Sequence, residues 1–328
     1  MSSETDRSSD SPPDILAPVN ALEEVEPLLE AGADWLYGGI LPPEWGSRYP
    51  STVLLNQRTF ASAQFSSMSE MEGAVRSTRD VCRCFALTLN APFYMDEQIP
   101  LVLDLVRWAA GSGVSALIVA DPGLIVRIRE EEIDIPLHLS TMGLGTNHLA
   151  VGLFEELGVT RVILPRFLTV GQISRLVGGA PGVEYEAFIL VGRCPNIEGV
   201  CTFLHDSPSG RWPCEWRWTL TGTDGGPPPK PVAAHFEGMK AADRRQGCGL
   251  CDLPDLMDAG VGAFKIVGRG APLFRKVSFV RQVRRLAEVA RRGPGTRWVE
   301  ECSRVYEELF GHPCSLNDCY YPSQREGK

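Results

Sequence analysis

The chain has 328 residues, 44% of them hydrophobic and 22% charged, which excludes global disorder and leaves room for one large domain or two modest ones. Its formal net charge of −9 repels phosphate backbones unless a local basic patch overrides it, so bulk charge argues against nucleic acid as a partner. No apolar run approaches the length of a membrane span. The opening MSSETDRSSDSPPD lacks the apolar core of an export signal, so residues 1–13 read as a disordered leader and the protein as cytoplasmic.

From Ile15 onward, short apolar runs alternate with amphipathic segments. The expected strands are Ile15–Pro18, Trp35–Gly38, Phe85–Asn90, Ala116–Ala120, Leu137–Ser140, Arg161–Leu164, Glu184–Leu190 and Ala263–Val267, chosen for their length and their β-branched and aromatic content. The first helix is expected to start at Asn20 as N-cap, with Glu23 completing a capping box and Gly32 closing it. Leu22, Val25, Leu28 and Leu29 fall on one face. Asn147 is expected to cap a helix carrying Leu149, Leu153 and Leu157, with Gly158 at its end. Eight strands in alternation with helices predict an α/β fold, a (β/α)8 TIM-like barrel over residues 14–270, with a doubly wound open sheet as the competing arrangement. Between the seventh and eighth strands, at about 205–246, a Gly-, Pro- and Trp-rich insertion (GTDGGPPPKP, RWPCEWRW) breaks the rhythm and is read as functional. Residues 271–328 read as a helical C-terminal extension. Its Arg281, Arg284, Arg285, Arg291 and Arg292 form a solvated charged face rather than an RNA contact.

Ten cysteines in a chain without an export signal point to metal or redox chemistry rather than to disulfides. Cys82 and Cys84 lead into an apolar strand and read as small buried hydrophobes. Cys194 and Cys201 follow the seventh strand, Cys214 lies in the insertion, and Cys248 and Cys251 precede the eighth strand. In a parallel barrel such positions can converge on the C-terminal mouth. Four thiolates meeting there suit an iron–sulfur cluster or a structural zinc, and spacing does not choose between them, because only Cys248–Cys251 has the C-x-x-C form. Cys302, Cys314 and Cys319, with Cys251, make a candidate second thiol group.

From about Leu16 to Arg269 the chain resembles the collagenase-like peptidase family U32. Glu186, Phe188, Cys194, Gly199 and Cys201 match its signature. Val191 stands where the family has Gly, Arg193 where it has an aliphatic residue and Leu204 where it has Ser. PCEWRW resembles the family's CR-aromatic stretch, which makes Cys214 the third ligand. CGLCDLPDLMDAGVGAFKIVGR resembles the block ending in KIEGR, which makes Cys248, rather than Cys251, the fourth. The segments around Asn90, Asp121, Ser140, Thr141, Asn147 and Arg166 also look like family blocks. The resemblance implies a 4Fe-4S cluster on Cys194, Cys201, Cys214 and Cys248, and dioxygen-independent hydroxylation with prephenate as oxygen donor, in ubiquinone synthesis or RNA modification.

Proteolysis is the weakest reading. None of the five histidines forms H-E-x-x-H, and no G-x-S-x-G elbow is present. Arg166, Glu186 and Arg269 are the expected catalytic residues, and Arg58, Asn90, Ser140 and Asn147 the expected substrate contacts. Arg58, Arg166 and Arg269 suit the carboxylates of an anionic donor. Glu186, inside a strand, needs a cation such as Lys265 or an arginine. Asn147 is equally well explained as an N-cap, and His138 as a satisfied barrel histidine. Val267 and Met142 replace a family Glu and Gln and suggest a more apolar acceptor. The function expected is therefore an oxidoreductase that hydroxylates a small aromatic or quinone-like metabolite. The alternatives are RNA hydroxylation and a cluster-bearing subunit that requires a homologous partner.

Overall fold

Short runs of β-branched and aliphatic residues, too brief to satisfy themselves as helices, pair side by side into eight parallel strands. These close into one barrel in the order β1 to β8. The strands are β1 (Asp14–Pro18), β2 (Trp35–Gly38), β3 (Cys84–Leu89), β4 (Ala116–Val119), β5 (Leu137–Leu139), β6 (Val159–Ile163), β7 (Glu184–Leu190) and β8 (Ala263–Ile266). The computed structural model describes residues 12–50, 53–58, 60–194, 196–201, 219–222, 224–234 and 246–321. Every expected strand is present, the closed ring rules out the open sheet, and the largest shift is at β6, which starts at Val159 rather than Arg161. Most of the insertion, including Cys214, lies outside the described residues.

Closure depends on β1 meeting β8, with Asp14, Ile15 and Leu16 opposite Ala263, Phe264 and Lys265. Helices cover the outside: α1 (Val25–Glu30), α2 (Pro43–Arg48), α3 (Met68–Asp80), α4 (Ile99–Ser112), α5 (Pro122–Glu130), α6 (His148–Glu156) and α7 (Val170–Gly179), then Leu253–Asp258, Leu273–Arg291 and Trp298–Phe310. Leu28, Val75, Val106, Ile128 and Ile173 are fully buried under these helices. Each such side chain contributes about 1.5–3 kcal/mol of burial free energy. The long helix Leu273–Arg291 packs on β1 beside α1. Arg281, Arg285, Arg291 and Arg292 lie exposed, as expected of a solvated face, with Arg285 paired to Glu301 at 2.6 Å, whereas Arg284 is half-buried and donates to Gly32 O and Asp34. Among the described residues, no helix is long and apolar enough to cross a membrane.

Local signals held where they concern the backbone. Gly32 and Gly158 follow their helices at φ +105° and +86°, and the Asn147 side chain accepts from Ala150 N–H at 3.0 Å. Two expectations are corrected, those for Asn20 and Cys82. Asn20 is no N-cap: its N–H donates to Glu24 Oε2 at 2.9 Å, while its Oδ1 accepts from Gly270 N–H and Lys276 Nζ, 250 and 256 residues away. Leu149 and Leu153 are exposed, because α6 turns Val151 and Phe154 to the core instead. Cys82 is exposed at φ 56°, in the turn before β3, whereas Cys84 opens that strand half-buried.

Candidate active site

The barrel interior is unusually polar at its lower end. Arg161, fully buried on β6, donates from Nε to Glu184 Oε2 at 2.8 Å and lies 3.4 Å from Asp14 Oδ2. Its guanidinium also lies over the Trp35 ring at 4.7 Å, and the Trp35 indole donates to Asp14 at 3.0 Å. Burial works against the Arg161 charge, but Glu184, Glu186 and Asp14 outweigh it and raise its hold on the proton. His138 packs on Trp35 with ring centroids 5.2 Å apart. Burial, with Arg161 and Lys265 nearby, pushes it well below the usual histidine range, so it sits neutral in the wall.

One level up, Lys265 donates to Glu186 Oε1 at 2.8 Å and lies over the Tyr37 ring at 3.8 Å. Glu186 is fully buried and needs this partner. Burial lowers the Lys265 amine against the opposing pull of Glu186. Lys265 was named in the sequence only as a partner for Glu186, yet it lines the cavity above. That role was legible from its position on the last strand, at register with Phe188.

The cavity, of about 100 Å³, opens at the C-terminal ends of the strands. It gathers Arg58, Asn90, Ser140, Arg166 and Arg269 together with Cys194 and Cys201. Asn90 donates to Ser140 Oγ at 3.3 Å and accepts from Gln57 N–H at 3.2 Å. Arg166 donates from Nε to Glu198 at 2.6 Å and to the Gly192 carbonyl, and its guanidinium lies 4.4 Å from the Phe188 ring centre. Burial opposes its charge, but Glu198 and Cys194 outweigh that, so it remains a fixed cation.

Arg269 is different. It is 9% exposed, and its Nη1 donates to two neutral oxygens, Thr88 Oγ1 at 2.9 Å and Asn56 Oδ1 at 3.3 Å. Burial, with Arg58 adding like-charge repulsion, lowers its proton affinity to about 9. Gly39 makes room for it: a Cβ there would sit 2.5 Å from Arg269 Nη1 and 2.7 Å from Thr88 Oγ1. A buried guanidinium held by neutral groups favours an incoming anion.

Asn147 does not join this group. It is exposed at the start of α6 and is accounted for as a cap. Cys194 and Cys201 do meet at the mouth, where burial pushes the Cys194 thiol up and Arg166 pulls it down. Cys248 is not among the residues that line this cavity; its backbone bridges Leu190 on one side and Cys319 on the other. Among the described residues, no three potential ligands are grouped to hold a metal ion. Cys214, the third expected ligand, lies outside the described residues.

A parallel eight-stranded barrel with its charged and thiol side chains at the strand C-termini defines a TIM-barrel enzyme architecture. The chain belongs to peptidase family U32, whose family model matches residues 20–328. It is 27% identical over 189 residues to tRNA hydroxylation protein P of Escherichia coli (strain K12), covering 58% of this chain but 38% of that protein. It is 25% identical over 334 residues to tRNA hydroxylation protein P1 of Bacillus subtilis (strain 168), covering 91% and 74%. It is 25% identical over 337 residues to a collagenase of Porphyromonas gingivalis (strain ATCC BAA-308 / W83), covering 96% and 75%. The match thus spans well under half of the Escherichia coli relative. Two of these three relatives are named for hydroxylation of tRNA.

Proposed function

We propose that this chain is a U32-family enzyme of RNA hydroxylation, with the barrel mouth as its active site. The observation that carries the reading is the convergence of Arg58, Arg166 and Arg269 with Cys194 and Cys201 on one cavity. At about 100 Å³ the cavity is far below the 300–1,000 Å³ of an ordinary ligand pocket. It suits a small carboxylate donor, gripped by Arg269 and Arg58, while the RNA base approaches from outside against the rim. Prephenate, the donor implied by the family resemblance, is larger than this cavity and would present a carboxylate to it with the ring towards the rim. Local cationic charge at the rim would offset the overall −9.

In this reading Arg269 and Arg58 orient the donor, and Asn90 and Ser140 hydrogen-bond its neutral oxygens. Lys265 with Glu186 forms the floor, where a proton can be held or released. A 4Fe-4S cluster would supply electron transfer or polarise the oxygen donor, with Cys194 and Cys201 as the ligands whose position supports it; the sequence resemblance adds Cys214 and Cys248. A histidine-assisted peptidase finds no support, since among the described residues no histidine lines the cavity.

The test is to supply the chain to a bacterium lacking its own tRNA hydroxylation proteins and to analyse tRNA nucleosides by mass spectrometry. Hydroxylated nucleosides should return with the wild type and vanish with Arg269→Gln and Cys194→Ala. An unmodified tRNA pool with well-folded wild-type protein overturns the proposal. Iron and sulfide analysis of anaerobically purified protein tests the cluster separately.

A further inference from the structure

Four cysteines that the mouth does not use, Cys251, Cys302, Cys314 and Cys319, lie with Cys248 between the segment before β8 and the C-terminal segment. The Trp298 indole donates to the Cys251 carbonyl at 2.9 Å, fixing the start of the helix Trp298–Phe310 against the turn Leu250–Asp252. Cys302 lies four residues beyond Trp298, one helical turn on and on the same face. That face is the buried one: Trp298, Cys302, Val305 and Tyr306 all turn inward. The Cys302 thiol is hydrogen-bonded to that of Cys251. Cys302 is 1% exposed, whereas Cys251 is half-buried and can meet a small molecule.

Two chemistries use such thiols. A metal would need a third ligand, and no group of three is assembled among the described residues. A pair in mutual contact, with one member reachable and the other enclosed, is instead the arrangement of a vicinal dithiol. We propose that Cys251 and Cys302 are a redox modification site that closes to an intrachain disulfide on exchange with a small-molecule disulfide. The Cys251 thiolate attacks one sulfur of the reagent, whose S–S bond breaks, and one small thiol departs. Cys302 then attacks the Cys251 sulfur and displaces the second. The protein loses two electrons and two protons; the reagent takes both and leaves as two thiols. The new bond staples the C-terminal helix to the segment entering β8, next to Cys248, and is independent of the function proposed above.

The experiment incubates the whole wild-type chain anaerobically with glutathione disulfide, alkylates residual thiols and maps peptides by mass spectrometry without reduction. The exposed Cys82 serves as internal control for reagent activity. The expected result is a Cys251–Cys302 linked peptide two hydrogens lighter, a raised melting temperature, and reversal of both by a dithiol reductant. In Cys302→Ala the glutathione adduct should persist on Cys251, and in Cys251→Ala Cys302 should stay reduced. A glutathione adduct stable on Cys251 of the wild type, a link from Cys251 to any other cysteine, or no change at either while Cys82 reacts overturns the proposal. If either alanine variant fails to fold, the wild-type map alone decides.

Discussion

Lys265 Nζ lies 2.8 Å from Glu186 Oε1, and the two side chains, carried by neighbouring strands β8 and β7, form the floor beneath the arginine-lined mouth. Glu186 is fully buried and Lys265 only 6% exposed, so neither charge has water to fall back on. Removing one partner strands the other, a loss of about 3–5 kcal/mol. Glu186→Gln should therefore lower the urea midpoint sharply, with the m-value unchanged. A loss below about 1 kcal/mol would mean that Lys265 is stabilised by something other than this pair.

Acid should loosen the barrel wall at one identifiable residue. Burial, with Arg161 and Lys265 beside it, holds His138 well below its ordinary value of 6.5. Between that depressed value and 6.5 the unfolded chain binds a proton that the folded chain refuses. Stability from this group is thus complete above 6.5 and lost as pH falls below it. The slope is at most about 1.4 kcal/mol per pH unit. Urea midpoints measured from pH 7.5 down to 5 should fall for the wild type and fall less for His138→Gln.

Arg269 predicts a response to anions. Its buried guanidinium is held by the neutral oxygens of Asn56 and Thr88, so a carboxylate entering the mouth gains a charge-assisted partner. A dicarboxylate such as malonate, at about a hundred times its Kd, should stabilise the fold by about 2.7 kcal/mol. Arg269→Gln should abolish the shift in melting temperature while leaving the anion-free protein at least as stable, because a buried charge is gone. An equal shift in both proteins would locate the anion elsewhere.

Val191 leads out of β7 at φ 66°, a left-handed backbone that a β-branched residue adopts only under constraint. Its N–H donates to Gly247 O at 2.8 Å and its carbonyl accepts from Tyr320, which supply that constraint. Val191→Gly should relieve the strain and raise stability by about 1 kcal/mol, read by chemical denaturation. Tyr320→Phe should loosen the same turn and change alkylation rates at Cys194. The departure of this chain from the family's glycine is thus a local cost carried by the C-terminal segment.

What could be read from the sequence follows the range of the interaction. The strands, the glycines at positive φ after α1 and α6, and the Asn147 cap are governed by residues within a turn of one another, and all appeared as expected. Arg58, Arg166, Arg269, Asn90 and Ser140 converge because a parallel barrel brings every strand's C-terminal end to one place. Asn20 was misread because its partners lie some 250 residues away, beyond any local pattern. Which apolar stripe of α6 is buried was not legible, because the helix offers both Leu149 with Leu153 and Val151 with Phe154, and its docking turns the second pair to the core. The backbone of Cys248 is held by the C-terminal segment, where Asp318 O accepts from its N–H and Tyr320 N–H donates to its carbonyl, pairings some 70 residues away that no local pattern announces.

The pairing of β1 with β8 has a consequence for how the chain matures. The first strand can find its second neighbour only after Phe264 and Lys265 have been made, so a nascent or truncated chain ending before Ala263 carries two bare parallel edges, on β1 and on β7. Such edges recruit other strands. Synthesis of most of the polypeptide must therefore precede protection from self-association, and fragments that stop short of that point should collect in the insoluble fraction or on chaperones.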